Sequence, residues 1–226
     1  MNILIMGAHP DDPDSGAGGL MAILSEKGHS VSAVSFTRGE LTGRMESVEE
    51  NGKRNVEEAL QAFQLLGAEV EFLDFIDGAL WPTEEAVGKV RNLIEENGPS
   101  LVITHWPIDT HPDHRAVGAI TISAIQSSKV DTTPALYFYE VMSGIQSRCF
   151  IAGTYVDVTQ KAELKKRACY AHKNCFPDTW YPVHEKMMEF RGLEMGVKYA
   201  ETFVAYNKGE VPKLGNLLMN NYLIRT

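Results

Sequence analysis

Residues 2–14 read Asn2-Ile3-Leu4-Ile5-Met6-Gly7-Ala8-His9-Pro10-Asp11-Asp12-Pro13-Asp14. The apolar run from Asn2 to Ala8 has the length of a strand buried on both faces and stops where Gly and Pro begin. Polar His9 and Asp11 arrive too early for a secretory signal or a spanning helix, and no basic segment precedes the run. A cytoplasmic location without a membrane span is therefore expected.

Working outward, the β-branched and aromatic pattern returns at Val31 to Thr37, Glu69 to Phe75, Leu101 to His105 and Leu136 to Val141. Helical spacing fills the intervals: Ser15 to Lys27, Ser47 to Leu66, Thr83 to Glu96, and His114 to about Gln126. In the second of these Val56, Ala59, Leu60, Phe63 and Leu66 line one face and Gly67 ends it. Strict alternation with short connections predicts an α/β fold, a mainly parallel, doubly wound, Rossmann-like sheet with helices on both faces. Ligands of such sheets collect at the carboxyl ends of the strands. After Val141 a strand Thr154 to Val158 and helices Gln160 to Lys173 and His184 to about Tyr199 are expected to form a small C-terminal cap. No linker or repeat interrupts the chain, so residues 1–226 are expected to form a single domain.

Apolar residues at 44% and charged residues at 23% suit a soluble globule. A net charge of −9 and a pI near 5.3 argue against nucleic acid, whose phosphates require clustered Lys and Arg. The cysteines, Cys149, Cys169 and Cys175, lack CxxC spacing and suggest neither a disulfide framework nor a cysteine zinc site.

Two segments carry chemistry, each beginning where a strand ends. His9 to Asp14 places one imidazole and three carboxylates in a loop stiffened by Pro10 and Pro13. His105-Trp106-Pro107-Ile108-Asp109-Thr110-His111-Pro112-Asp113-His114 holds three of the seven histidines and two carboxylates. Two histidines and a carboxylate leave a metal with open positions for water and a substrate oxygen, an arrangement shared by hydrolytic zinc and non-haem iron. The metal acidifies the water and polarises a carbonyl, while a carboxylate not spent on the metal takes the proton.

The pairing of Ala8-His9-Pro10-Asp11-Asp12 with His111-Pro112-Asp113-His114 resembles the PIG-L or LmbE-like family of metal-dependent N-deacetylases. Weaker similarities run through Thr37-Arg38-Gly39-Glu40, Arg54, Asp77-Gly78, Tyr155 to Thr159 and Gly196 through Phe203. The resemblance implies hydrolysis of an N-acetyl amide on an amino sugar or glycoconjugate by one divalent metal, zinc or Fe(II). It implies His9, Asp12 and His114 as ligands and Asp11 as general base and then acid on the metal-bound water. His111 would be the oxyanion-stabilising imidazole, Asp113 the carboxylate that orients the His111 ring, and Arg54 the arginine that holds the polar substrate. Assembly as a homo-oligomer is expected with it.

Asp14 replaces the family's usual glutamate, Asp109 stands where some branches have tyrosine, and His172-Lys173-Asn174-Cys175 departs from the usual His-x-Ser-Gln. A dinucleotide site fails on spacing, because Gly16-Ala17-Gly18-Gly19 follows carboxylates that would repel a pyrophosphate. Those small residues instead let a helix pack closely. An iron oxygenase conflicts with the strand and helix alternation, and a silent sugar-binding relative with the complete residue set. Hydrolysis of a different amide stays open. Trp81, Trp106 and Trp180 are candidates for stacking on a sugar, His105 for a supporting position, and His172 and His184 for contact with the substrate.

Overall fold

The computed structural model describes residues 1–141, 145–206 and the backbone of 224–225. Its elements in chain order are β1 (Asn2–Gly7), α1 (Asp12–Glu26), β2 (Ser30–Thr37), α2 (Val48–Leu66), β3 (Glu69–Phe75), α3 (Glu84–Asn97), β4 (Leu101–His105) and α4 (Pro112–Ser127). They continue with β5 (Ala135–Tyr139), β6 (Thr154–Asp157), α5 (Ala162–Cys169), α6 (Pro177–Met195), β7 (Ala200–Ala205) and β8 (Ile224–Arg225). The strands lie in the order β3-β2-β1-β4-β5-β7-β6-β8. Pairs from β3 through β5 are parallel, and the pairs made by β7, β6 and β8 are antiparallel.

The double winding follows from β1, whose residues alternate between two cores. Ile3 and Ile5 face a layer with Leu20, Ile23 and Phe63 from α1 and α2. Leu4 and Met6 face a second layer with Val90, Ile94, Val117 and Ile120 from α3 and α4. With both faces covered, every side chain from Ile3 to Met6 is buried, which is why the strand reads as an unbroken apolar run rather than an alternating one.

Local signals explain the helix ends. Ser47 and Thr83 cap α2 and α3 by accepting from Glu50 N and Ala86 N. Gly67 and Gly98 end them with positive φ. α1 begins at Asp12, three residues before its expected start, because Pro13 in the first turn needs no amide partner. α6 begins at Pro177 rather than His184 and tolerates Pro182 inside, where one backbone bond is forfeited. α5 stops at Cys169, and a 3-10 turn covers Lys173–Cys175.

The C-terminal region does more than cap. Its strands β7 and β6 continue the sheet beyond β5, and α5 packs on α1 and α2. Among the described residues no helix is long and apolar enough to cross a membrane.

Candidate metal centre

The carboxyl ends of β1 and β4 are neighbours in the sheet, so the two chemical segments meet there. Each passes directly into a helix with proline in its first turn, α1 after Asp11 and α4 after His111. Asp12 and His114 therefore sit on rigid first turns facing one another, and Asp12 Oδ1 lies 3.4 Å from His114 Nε2.

Neighbouring carboxylates fix the protons of these rings. His114 Nδ1 lies 3.1 Å from Asp109 Oδ1, which as a carboxylate only accepts, so Nδ1 carries a proton. His9 Nε2 lies 3.1 Å from Asp77 Oδ1 and 3.5 Å from Asp113 Oδ2, while Nδ1 lies 3.1 Å from Asp12 Oδ2. Asp12 is fully buried. Among the described residues its Oδ1 accepts no hydrogen bond. His114 Nε2 thus faces a buried carboxylate oxygen that accepts no hydrogen bond, a place where a positive charge between the two satisfies both. The donor set of two imidazoles and a carboxylate, each ring backed by a carboxylate, fits a divalent metal. Ligand atoms of His9, His111 and His114 lie within 4.8 Å of one another, as do those of Asp12, His105 and His114 and those of His9, Asp77 and Asp113.

The electrostatics agree. Burial pushes the Asp12 carboxyl up, but His114, His105 and His9 outweigh it and hold it well below the usual range. Burial would lower His9, yet Asp12, Asp113 and Asp77 hold it well above an ordinary imidazole. Without a metal the proton on His9 answers the excess of carboxylates, and a bound cation would displace it. Asp11 goes the other way: burial and the adjacent Asp12 charge push it up to about 6 against the pull of His172 and His9. Among the described residues no hydrogen bond to the Asp11 carboxylate is found, and it lines a cleft of about 230 Å³ with His9, Asp12, His111, His114 and Trp180. His111 is held below its ordinary value by burial and by the nearby His9 and His114. Its Nδ1 accepts from Asp113 N at 3.3 Å, leaving the proton on Nε2.

One expected orientation is displaced, and one expected substrate residue lies outside the cleft. The Asp113 carboxylate does not reach the His111 ring. It accepts from Gly78 N (2.7 Å) and Leu80 N (3.2 Å) in the β3–α3 loop and faces His9 instead. The cause is its place in the first turn of α4, which turns it toward that loop. Arg54 does not line the cleft. It pairs with Glu58 at 2.9 Å and Glu57 at 3.3 Å and lines an adjoining cavity of about 410 Å³ with Arg44 and Lys173.

Sequence reasoning missed Asp109 and Asp77 and left His105 undecided. Asp109 also accepts from His111 N and Ser147 Oγ, and Asp77 from Leu41 N. His105 stacks on His114 at 4.1 Å with its Nε2 3.1 Å from Asp12 Oδ2. Burial, foremost, and His114 depress it to about 4, so it is neutral at pH 7. The carboxylate at Asp109, two residues before a candidate histidine, was the available signal. Asp77 was marked only by the family resemblance of Asp77-Gly78, and its role needed the tertiary contact. His172 is fully buried and pairs with Asp14 at 3.3 Å. Burial would lower it, but Asp14 holds it above the ordinary value. Of the tryptophans only Trp180 lines the cleft, while Trp106 packs on Phe138 and Phe150.

A sequence profile described as PIG-L, GlcNAc-PI de-N-acetylase, matches residues 4–125. Diacetylchitobiose deacetylase of Thermococcus kodakarensis is 28% identical over 218 residues, covering 88% of this chain and 80% of its own. The N,N'-diacetylchitobiose deacetylase structure from Pyrococcus horikoshii superposes with a TM-score of 0.82 at 25% identity, over 90% of this chain and 83% of that one. The 4-carboxy-2-hydroxymuconate hydratase structure from Pseudomonas putida shares the fold, with a TM-score of 0.83 at 20% identity over 95% and 99% of the two chains.

Proposed function

Because this chain belongs to the PIG-L family of GlcNAc-PI de-N-acetylase, we propose that it hydrolyses an N-acetyl amide on an amino sugar or related polar glycoconjugate. The observation that carries the reading is the unsatisfied buried Asp12 oxygen facing His114 Nε2, beside an uncommitted carboxyl on Asp11. His9, Asp12 and His114 would hold the metal, zinc or Fe(II). A divalent ion there supplies Lewis-acid polarisation of the acyl carbonyl and acidifies the attacking water.

The residues of the chain do the rest. Asp11, next to Asp12 but outside its hydrogen bonds, takes a proton from the water and returns it to the leaving amine. His111, neutral and with its proton on Nε2, donates to the developing oxyanion. Asp113 acts twice, through its backbone amide on the His111 tautomer and through its carboxylate on His9. Asp77 and Asp109 orient the two ligand rings. Arg54, in the adjoining cavity, would hold a distal polar part of the substrate.

Asp11→Asn tests the division of labour between the adjacent carboxylates. It should lower amine release from N-acetylglucosamine conjugates by about 10² to 10⁴, with metal content by elemental analysis near stoichiometric. Asp12→Asn and His114→Ala should instead lose metal and recover part of their activity at high metal concentration. An Asp11→Asn protein that purifies metal-free, or keeps wild-type turnover, would reverse the assignment. A wild-type protein that adds water to an unsaturated acid but releases no amine would overturn the reaction itself.

A further inference from the structure

The helix that presents Asp11 and Asp12 is broken. Within α1, Ala17 leaves helical geometry at φ −144 and ψ 18, so the turn Asp12–Gly16 is a separate piece from the rest. A break in mid-helix strands carbonyls at the end of the first piece and amides at the start of the second. Here two buried charges take them. Lys165 Nζ donates to Ser15 O at 2.7 Å. The Glu201 carboxylate accepts from Gly19 N at 2.7 Å and Leu20 N at 2.8 Å. The two charges meet at 2.7 Å, and both side chains lie within 2% of full burial.

Each charge suits the helix end it touches, an ammonium on carbonyls and a carboxylate on amides. Breaking a pair of this kind leaves an uncompensated buried charge, although the intact pair adds little stability by itself. The small residues at the break make room for it. A Cβ on Gly19 would stand 3.0 Å from Glu201 Oε1 and 2.6 Å from Val158, and one on Gly18 would stand 3.2 Å from Lys165 Cγ. On the far side of the turn, a Cβ on Gly16 would enter the Tyr139 ring, whose hydroxyl is tied to Met6 O at 2.8 Å. The first turn of α1 is thus held between β1 and β5 on one side and the Lys165–Glu201 pair on the other.

We propose that Lys165 from α5 and Glu201 from β7 are positioning residues that set the first turn of α1 and, through it, the direction of Asp11 and Asp12. The inference rests on the deacetylase reading for what those carboxylates do, but not for the clamp itself. Because the clamp comes from the C-terminal third of the chain, that region completes the centre from a distance without contributing a ligand.

The test uses the full chain and the variants Lys165→Met, Glu201→Gln and their double, with Val158→Ala as a packing control on the same helix. Affinity for Co²⁺ and the visible bands of the Co²⁺-loaded protein report coordination, and circular dichroism reports the folded fraction. Loss of a supporting contact typically weakens metal binding by about 10- to 100-fold. Glu201→Gln and Lys165→Met should show a loss of that order with altered Co²⁺ bands, whereas Val158→Ala should lower Tm and leave both unchanged. The double variant should regain stability without regaining affinity, since removing both charges spares the uncompensated one. If Lys165→Met does not fold, Glu201→Gln decides. Wild-type affinity and bands in a folded Glu201→Gln protein would overturn the proposal. Should wild-type protein bind no metal, the deacetylase reading fails, and hydrogen exchange of amides 12–16 then decides the clamp. Faster exchange in Glu201→Gln than in Val158→Ala supports it, and equal rates overturn it.

Discussion

Asp11 and Asp12 are adjacent in the chain yet are held on opposite sides of the ordinary carboxylate range. Three imidazoles surround Asp12, while Asp11 has burial and the Asp12 charge against it. In metal-free protein the folded state therefore binds the Asp11 proton more tightly than the unfolded chain, in which an aspartate titrates near about 4. The stability from that proton is fully present below about pH 4 and is lost as pH rises through about 6. Asp11→Asn should thus stabilise the metal-free protein at pH 7.5 by roughly 1 to 3 kcal/mol, with the gain vanishing near pH 4. Urea titrations at the two pH values measure it, and an equal gain at both would refute the assigned cause. Asp109→Asn keeps the shape but no longer holds the proton on His114 Nδ1 as a carboxylate does. Metal affinity by chelator competition should fall by about 10- to 100-fold with only a small change in Tm.

The working parts are the first turns of two helices, each launched from a strand through a proline. α4 lies close against β4: a Cβ on Gly118 would stand 2.9 Å from the His105 carbonyl oxygen, a backbone atom that cannot swing aside. Gly118→Ala should therefore push α4 from the sheet, lower stability by roughly 1 to 3 kcal/mol, and weaken metal binding because His114 moves with it. Thermal melts with and without metal separate the two effects, and an unchanged metal response would show that the helix tilts about its first turn. Such interlocking explains why element boundaries were read only approximately. Pro13 and Pro182 look like breaks in a linear reading, but one sits where its missing amide is not needed and the other in a helix held by β7.

A metal bound between the first turns of α1 and α4 would tie together helices on opposite faces of the sheet, with a consequence for the whole chain. A ligand at about 100 times its Kd stabilises by about 2.7 kcal/mol, or roughly 5 to 10 °C in Tm for a chain of this size. Chelation should lower the Tm of wild-type protein by that order and leave Asp12→Asn unaffected, and equal shifts in both would place the metal elsewhere. At this scale the sequence by itself determined the doubly wound parallel sheet. Apolar runs alternating with helical spacing admit few other ways to bury both faces of β1. It also determined that His9, Asp11, Asp12, His111 and His114 come together, since strands ending in chemistry must present it at one sheet edge. Only the tertiary structure decided the partners of those groups. Asp77 on His9, Asp113 turned from His111 to His9, Arg54 in a neighbouring cavity, and Lys165 with Glu201 in the break of α1 are contacts between residues 36 to 182 positions apart or set by a helix's rotation. Local pattern carries residue type and period, whereas these pairings depend on distances that only packing sets.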